Sequence, residues 1–489
     1  MIEKLRKSPF YVLLLAVFFC LHGSAENFGF VNFYDVLYVG LGILFFLIVL
    51  FAVFYLSSKN ILYSGFLTFF TVAWYLFFGA IKDAMFIFLP MLSSYSILIP
   101  VLVILNAAAG ILLLKKTLLL KKLTFFLNVL FIIYCLTDAG TILYKSGQKL
   151  TANNDFSFNV NTVHQKPNVY YLLFDEYAGY KNLADSFNFK NDLLYDHLKK
   201  DRFEILPGFS NYNMTPFCMS SILNMNYVKP VKDTANLSFN DMQDRSREIK
   251  YAAVFNIFTK MGYDINNFSI FDVGNQKSLE TNQFILGHSQ LLTHKILHNR
   301  MLKDLSYHLL SGKYASVFFQ NLYNNAYAAY NKKIETELLR TVKTEKVKPA
   351  FVYAHFLLPH SPVLYDSSGK FVSYHNKEDI SDSNRKALYL DYLKYTNSKI
   401  ISLADEIIQH DPSSVIAVMS DHGYRDWETK SLLQMYNFNN FCFIRNTGAT
   451  IKIDRTPISG VNFFRYFFNQ YFDQSMPYLK DSVGLYLFH

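Results

Sequence analysis

Polar side chains that can bind a metal ion or a phosphate follow directly after apolar runs in this sequence. Asp175 and Glu176 come after the run NVYYLLF, and Asp421 and His422 come shortly after the run SVIAVM. Carboxylate oxygens and imidazole nitrogens are ligands for zinc, or for manganese and magnesium in a larger shell. These residues therefore predict a metal site, while a turn with satisfied polar groups stays the alternative for Asp421-His422 taken alone.

A hydroxyl that could act as a nucleophile stands at the start of a predicted helix. Thr215 is followed by Pro216, and the segment up to Asn224 can form helix. Threonine in this place is a typical N-cap, but a helix N-terminus also favours a bound anion. An alcohol held by a metal ion can attack phosphorus, so Thr215 is either a capping residue or a metal-activated nucleophile.

The elements around these residues alternate between strand and helix. Apolar runs predict strands over 168–174, 351–358 and 414–419, and amphipathic spacing predicts helices over 246–262 and 388–410. Such alternation predicts a doubly wound α/β/α domain, in which ligands bind beyond the carboxyl ends of the strands. His355 lies in the second of these strands and His360 follows it, so both could bind a metal ion or a phosphate at the strand end.

The first 144 residues have a different composition from the rest of the chain. Four long apolar runs, uncharged except for Asp138 in the last, can each cross the hydrocarbon core of a membrane, and a shorter run at the N-terminus is either a fifth span or a cleaved signal peptide. We favour the retained span. The five predicted spans cover approximately 9–23, 36–56, 61–81, 95–114 and 123–144. The predicted domains are a transmembrane anchor at 1–144, a juxtamembrane linker at 145–167 and a catalytic domain at 168–489.

The formal charge of +9 reflects membrane topology. Most of the excess lies in lysines and arginines at the ends of the apolar runs, a distribution that gives no support for nucleic acid as a partner. Because these residues favour the cytoplasm, we expect a cytoplasmic N-terminus and, after five spans, an extracytoplasmic catalytic domain, periplasmic or extracellular. Asp138, near the outer end of the last span, is either an interfacial anchor or a functional acid.

In chain order, these motifs resemble the alkaline phosphatase superfamily, specifically its sulfatase-like branch with lipoteichoic acid synthases and lipid A phosphoethanolamine transferases. The segment PNVYYLLFDEYAG resembles the first strand with its acidic metal ligand, SNYNMTPFCMSSILNM the nucleophile segment, AHFLLPHSP the histidine motif and SDHG the second metal motif. The resemblance implies that Thr215 is the nucleophile and that one divalent ion, zinc or manganese, is bound. The implied metal ligands are Asp175, Thr215, Asp421 and His422, and the implied substrate contacts are His360, His355 and Glu176.

Three functions follow from this reading of the sequence. The favoured one is a phosphotransferase that moves a phospho-headgroup from a membrane phospholipid through a phosphothreonine to an extracytoplasmic glycan, lipid or polymer. A hydrolase of phosphodiesters or sulfate esters is the first alternative, and a non-catalytic glycan- or partner-binding membrane protein is the second. A sulfatase with a formylglycine nucleophile is disfavoured, because threonine cannot form that group and Cys218 lacks the sequence context for it.

Overall fold

The computed structural model describes residues 2–147, 157–235, 237–279, 289–310, 314–372, 382–425, 432–445 and 459–486. Much of the predicted linker, 148–156, lies outside the described residues. The helices are α1 Ile2–Lys7, α2 Tyr11–Glu26, α3 Phe33–Ser58, α4 Ile61–Leu76, α5 Phe78–Phe88, α6 Tyr95–Leu113, α7 Thr117–Gly147, α8 Tyr180–Phe187, α9 Asp192–Lys200, α10 Thr215–Asn224, α11 Phe239–Lys250, α12 Ala253–Lys260, α13 Ser289–Thr293, α14 Leu297–Leu310, α15 Val317–Lys343, α16 Asp382–His410 and α17 Phe463–Tyr471. The strands are β1 Val169–Phe174, β2 Phe203–Ile205, β3 Gly208–Phe209, β4 Asp264–Phe268, β5 Ala350–Phe356, β6 Val415–Ser420, β7 Asn439–Asn440 and β8 Cys442–Arg445.

The chain divides into two compact units. The first, the helical unit, contains Met1–Lys149 together with Asn282–His308, and the second, the sheet unit, contains Leu150–Thr281 and Leu309–His489. The segment 282–308 of the helical unit therefore comes from the half of the sequence predicted to be catalytic. No feature of that segment distinguished it in the sequence.

Several helices of the helical unit are long and apolar enough to cross a membrane, as the sequence predicts. Within the described residues, α3, α6 and α7 meet this criterion, and α4 with α5 counts as a fourth span if the 65° bend between them is accepted. The apolar helix α2 is shorter. The five-span count and the cytoplasmic N-terminus stay predictions.

A polar anchor joins the N-terminal helices of this unit to α7. The buried Asn128 accepts a hydrogen bond from the backbone N–H of Tyr11 at 2.7 Å and donates to the carbonyls of Leu5 at 2.7 Å and Ser8 at 2.8 Å. A buried amide that makes three hydrogen bonds fixes its partners strongly, because losing them would leave polar groups unsatisfied away from water. The α2 helix is therefore an integral part of the helical unit.

A six-stranded sheet in the order β2-β8-β6-β1-β5-β4 forms the core of the sheet unit. The four strands β6, β1, β5 and β4 are parallel, β8 pairs antiparallel with β6, and the edge strand β2 pairs antiparallel with β8. All side chains of β1 are buried, as expected for a central parallel strand. The α/β prediction is confirmed, and the central strand positions are within a few residues of those expected.

Aromatic rings pack the helices against this sheet. Phe258 of α12 stacks on Phe351 of β5 with ring centroids 4.1 Å apart, and Phe464 of α17 meets Tyr171 of β1 edge-on at 5.2 Å. Rings in these geometries add to the free energy gained from burial. The central strands are thereby held firmly, and they carry the residues of the candidate site at their carboxyl ends.

The prediction of a single helix over 246–262 is wrong. Two helices occupy the region, because the chain breaks at Tyr251–Ala252 and α12 starts anew with the Ala253 N–H donating to the Asn224 side chain at 3.2 Å. Glycine does end the second helix, since Gly262 adopts a φ of 86°. The apolar spacing was read correctly, but a tertiary contact to another helix replaced the local bond that would have continued it.

Candidate active site

The register of the central strands brings the two acidic motifs together. Phe174 of β1 pairs with Ser420 of β6, so Asp175 and Asp421 each stand one residue beyond the same rung of the sheet. The Glu176 N–H donates to Asp421 Oδ1 at 3.1 Å, which ties the two strand ends to each other. Residues 245 positions apart in sequence are thus neighbours because parallel strands end at one edge.

A left-handed turn after β1 sends two consecutive acidic side chains to different partners. Glu176 has a φ of 59°, a conformation that is uncommon for a residue with a side chain. The Asp175 carboxylate consequently lies with His422 and Thr215, while the Glu176 carboxylate lies with Arg425. The strained backbone therefore separates a candidate metal ligand from a candidate substrate-binding group.

Thr215 is not a helix cap. The N-cap position of α10 is Met214, and no side chain caps this helix. The Thr215 hydroxyl instead lies 3.5 Å from each carboxylate oxygen of Asp175 and 3.3 Å from His422 Nε2. The capping interpretation left open by the sequence is therefore wrong, and the hydroxyl belongs to the cluster of candidate ligands.

His422 presents one ring nitrogen to this cluster. Its Nδ1 lies 2.8 Å from the Gly423 carbonyl, which can only accept, so Nδ1 carries the proton of that hydrogen bond. Nε2 is the remaining ligand atom, at 3.3 Å from Asp421 Oδ2 and 3.8 Å from Asp175 Oδ1. A hydrogen bond from the second nitrogen to a carbonyl is how metal-binding histidines are oriented.

The charges of the buried cluster fit a divalent cation. Asp175, Asp421 and His422 are completely buried, and each offers a ligand atom within 4.8 Å of the others. Asp421 Oδ2 has no hydrogen-bond partner of good geometry among the described residues. Burial is the main cause that raises the pKa of Asp175, and the neighbouring Asp421 carboxylate raises it further. Buried carboxylates with too little positive charge around them are the environment that a divalent cation stabilises.

Glu176, Arg425 and His360 form a second cluster. Arg425 donates to Glu176 through its backbone N–H at 3.0 Å and through Nη2 at 3.1 Å. Burial alone would raise the pKa of Glu176, but the Arg425 guanidinium outweighs it and holds that pKa well below its usual range. Arg425 Nη1 lies 3.8 Å from Met214 Sδ, so the guanidinium stands beside the residue that precedes Thr215.

The two predicted histidines occupy different environments. His360 Nδ1 lies 2.6 Å from the Ser361 carbonyl, and its Nε2 lies 2.8 Å from Arg425 Nη2, so Nε2 accepts from the guanidinium. His355 is completely buried in β5, with Nε2 3.5 Å from Asp175 Oδ2, and burial lowers its pKa to about 4. His355 therefore adjoins a candidate metal ligand, and His360 adjoins the charged pair.

Glu176 and His360 share Arg425 as a partner, a residue that the sequence left either as part of an acceptor site or as structural, without pairing it to them. The signal in the sequence was that Glu176 adjoins Asp175 and that Arg425 follows His422 by three residues, on motifs that end neighbouring strands.

A different His/Asp group, formed by His197, Asp201 and Asp405, is partly exposed, with His197 Nε2 3.2 Å and 3.1 Å from the two carboxylates. That group has the geometry of a surface ion pair.

The cysteines contribute no nucleophile to the site. Cys218 is buried one turn along α10, its Sγ donates to the Tyr212 carbonyl at 3.0 Å, and burial raises the pKa of its thiol well above the usual range. Cys218 and Cys442 are both free, so no disulfide joins them. Cys218 is a small buried side chain.

Comparison with known proteins gives one family. The family model described as Sulfatase matches residues 202–468, which is more than half of the chain. Among curated proteins, none is similar in sequence to this chain.

Three solved structures illustrate the similarity. The C-terminal periplasmic domain of EcEptC from Escherichia coli, in a complex with Zn, has 11% identity and a TM-score of 0.41, and the match covers 66% of this chain and 88% of that domain. The C-terminal periplasmic domain of the phosphoethanolamine transferase EptC from Campylobacter jejuni has 13% identity, coverage of 64% and 92%, and a TM-score of 0.37. A protein of the alkaline phosphatase superfamily from Vibrio parahaemolyticus has 15% identity, coverage of 64% and 70%, and a TM-score of 0.35.

Proposed function

This chain belongs to the sulfatase family, and from that premise we propose that it is a membrane-bound, metal-dependent phosphotransferase. Its reaction moves a phospho-headgroup from a phospholipid to an extracytoplasmic glycan, lipid or polymer, through a covalent adduct on Thr215. The observation that carries the proposal is the position of the Thr215 hydroxyl, 3.5 Å from Asp175 and 3.3 Å from His422, instead of at a helix cap.

Asp175, Thr215, Asp421 and His422 are the residues that would hold the ion, zinc or manganese by their donor set. A bound divalent cation supplies the positive charge that lowers the pKa of the Thr215 alcohol and stabilises its alkoxide. The protein's own contribution is orientation: the Gly423 carbonyl fixes the His422 ring at 2.8 Å, and the Glu176 N–H fixes the Asp421 carboxylate at 3.1 Å. Fixed ligands spare the site the cost of reorganising as the reaction proceeds.

Arg425 is the group best suited to hold the phosphoryl oxygens. Its guanidinium is charged at any physiological pH and is anchored by Glu176, so it is oriented before a substrate arrives. His360 Nε2 accepts from this guanidinium, so His360 supports Arg425 in the arrangement seen here. Because both ring nitrogens of His360 are engaged, His360 would act on the phosphoryl group through Arg425.

The transfer proceeds in two displacement steps. In the first, Thr215 Oγ1, having lost its proton to solvent, forms a bond to phosphorus, and the bond between phosphorus and the glycerol oxygen of the lipid breaks. That oxygen leaves with a proton from solvent as the alcohol of a diacylglycerol. In the second step an acceptor hydroxyl bonds to phosphorus and loses its proton, and Thr215 Oγ1 is released. The covalent adduct divides one difficult displacement into two easier ones.

The membrane helices favour a lipid donor. The chain that carries the candidate site also carries helices that could cross a membrane, so the donor and the enzyme would share one bilayer. Confinement to the same membrane raises the effective concentration of a lipid substrate without any additional contact. A soluble donor would gain nothing from this arrangement.

Purified full-length protein in vesicles with a headgroup-labelled phospholipid tests the proposal. We expect the label to move to an added glycan or lipid acceptor in an amount that matches the diacylglycerol formed, and we expect no transfer by Thr215→Ala. Formation of diacylglycerol with all label released as a free phospho-headgroup would instead establish the hydrolase. The family match is the observation that keeps this alternative, because it does not distinguish water from another acceptor. Absence of both products with every headgroup tested would contradict the proposed activity.

A further inference from the structure

The α14 helix in the helical unit has an unusual distribution of polar and apolar side chains. Arg300 and Asp304 are partly buried, whereas Met301, Leu302 and Leu305 are 42%, 56% and 52% exposed. At 100° per residue these three apolar side chains form one stripe along the helix. A helix that turns Arg300 and Asp304 inward and this apolar stripe outward is not arranged for water.

The inward charges of α14 have specific partners near the start of α6 and within α5. Arg300 Nη2 lies 2.8 Å from Asp83 Oδ1, and Asp304 Oδ2 accepts from the Tyr95 hydroxyl at 2.6 Å. Lys82 Nζ is 3.5 Å from the same carboxylate oxygen. The backbone adds a further bond, since the Gly79 N–H donates to the Lys295 carbonyl at 2.7 Å. The polar side of α14 is thus occupied by this part of the helical unit.

These partners determine the depth of α14 relative to a membrane. Lys82 and Asp83 are the only charged residues between Ile61 and Leu114. Charged side chains are too costly to leave in the hydrocarbon core, so they lie at its boundary with water. A helix that is bound to them through Arg300 and Asp304 lies at the same level.

We infer that α14 is an interfacial helix whose stripe of Met301, Leu302 and Leu305 contacts the acyl chains of the membrane. Lipid is the partner that fits, because the stripe is apolar, lies at the membrane boundary by its polar anchors and belongs to the unit that holds the candidate spans. Helices of this kind lie in the plane of the membrane with the apolar side immersed. The inference rests on the helical unit being in a membrane and is independent of the chemistry at Thr215.

Quenching of tryptophan fluorescence by lipids with brominated acyl chains tests this inference in full-length protein reconstituted in vesicles. The two tryptophans, Trp74 and Trp427, are first replaced by phenylalanine, and Leu305→Trp or Lys303→Trp is then added. Lys303 is also exposed but lies on the other side of the helix. We expect the brominated lipids to quench the fluorescence of Leu305→Trp at least about twofold more than that of Lys303→Trp.

A protein that keeps only Trp74 serves as the positive control, because Trp74 lies within α4. Strong quenching of Trp74 with equal, weak quenching at positions 305 and 303 would overturn the interfacial helix and leave the anchor intact. Lack of quenching of Trp74 would mean that the helical unit does not lie in the membrane, and this would overturn the inference. If Leu305→Trp does not accumulate as folded protein, Leu302→Trp replaces it, with the same expected contrast to Lys303→Trp.

Discussion

The Thr215 hydroxyl oxygen lies 3.3 Å from Nε2 of His422, although the two residues are 207 positions apart in the chain. Nδ1 of His422 is committed to the Gly423 carbonyl, so Nε2 is the ring atom that faces the threonine. A cation held here would have the Thr215 oxygen and the His422 nitrogen within reach as ligands. One short contact therefore links the proposed nucleophile to the proposed metal site.

The first prediction concerns metal content. Asp421→Ala and His422→Ala should each lower bound divalent metal and turnover together, because each removes a ligand. Changes one shell further out usually cost about 10–100-fold, and loss of a ligand should exceed that. Metal analysis of the purified full-length protein is the measurement. His197→Ala disrupts the partly exposed His/Asp group and should keep the metal. Loss of metal in His197→Ala, with metal retained in Asp421→Ala and His422→Ala, would place the metal site at the His197 group instead.

The second prediction separates binding of the phosphoryl group from binding of the metal. Arg425→Met should lower turnover by about 10²-fold or more while metal content stays constant, because a fixed donor to the developing charge is lost. His360→Ala should also keep the metal and lose less turnover, since His360 acts through Arg425. Arg247→Met, which breaks a surface pair with Asp244 at 2.7 Å, is the control and should be active. Equal loss of metal and turnover in His360→Ala would make His360 a ligand.

The third prediction concerns the turn that carries His422. A Cβ on Gly423 would collide with the carbonyl oxygens of Tyr436 and Asn439. Gly423→Ala should therefore shift the turn, lower the melting temperature and reduce both metal content and turnover. Gly140→Ala adds a Cβ where nothing lies within 4 Å and should leave all three unchanged. Wild-type behaviour of Gly423→Ala would mean that the backbone around the site adapts more freely than its packing indicates.

The fourth prediction concerns the N-terminus. Because Asn128 holds Tyr11, Leu5 and Ser8 by hydrogen bonds, the first apolar segment should be retained in the mature protein. Mass analysis of protein purified from membranes should find the N-terminal residues present. Reporters fused after Lys145 and between Lys116 and Lys121 should then appear outside and inside respectively. A new N-terminus near Gly23 would identify a signal peptide and remove one span from the predicted five.

The chemistry of the strand ends could be predicted from sequence because it depends on local patterns. An apolar run followed by acids or histidine indicates where ligands converge in a parallel sheet, and Asp175, Asp421 and His422 were found in this way. The register that pairs Phe174 with Ser420 could not be read, since it depends on contacts across more than 240 residues. Without that register, the sequence showed only that Glu176 and Arg425 each follow a predicted strand, and not that their side chains pair.

The assignment of 282–308 to the helical unit was unpredictable for a related reason. The α14 sequence, LHNRMLKDLSYHLL, has ordinary amphipathic spacing, and spacing alone does not tell which side of a helix faces protein. Only the partners of Arg300 and Asp304 reveal that the polar side is the inner one. The break between α11 and α12 was missed in the same way, because a contact from Asn224 decides it.

The most direct test of the account is to trap the covalent adduct. Full-length wild-type protein is incubated with labelled phospholipid donor and no acceptor, denatured rapidly and digested, and its peptides are examined by mass spectrometry. We predict a phospho-headgroup on the peptide that contains Thr215, its absence in Thr215→Ala, its presence on serine in Thr215→Ser, and its loss when an acceptor is added. An unmodified Thr215 peptide while diacylglycerol accumulates, or near wild-type turnover by Thr215→Ala, would contradict the account.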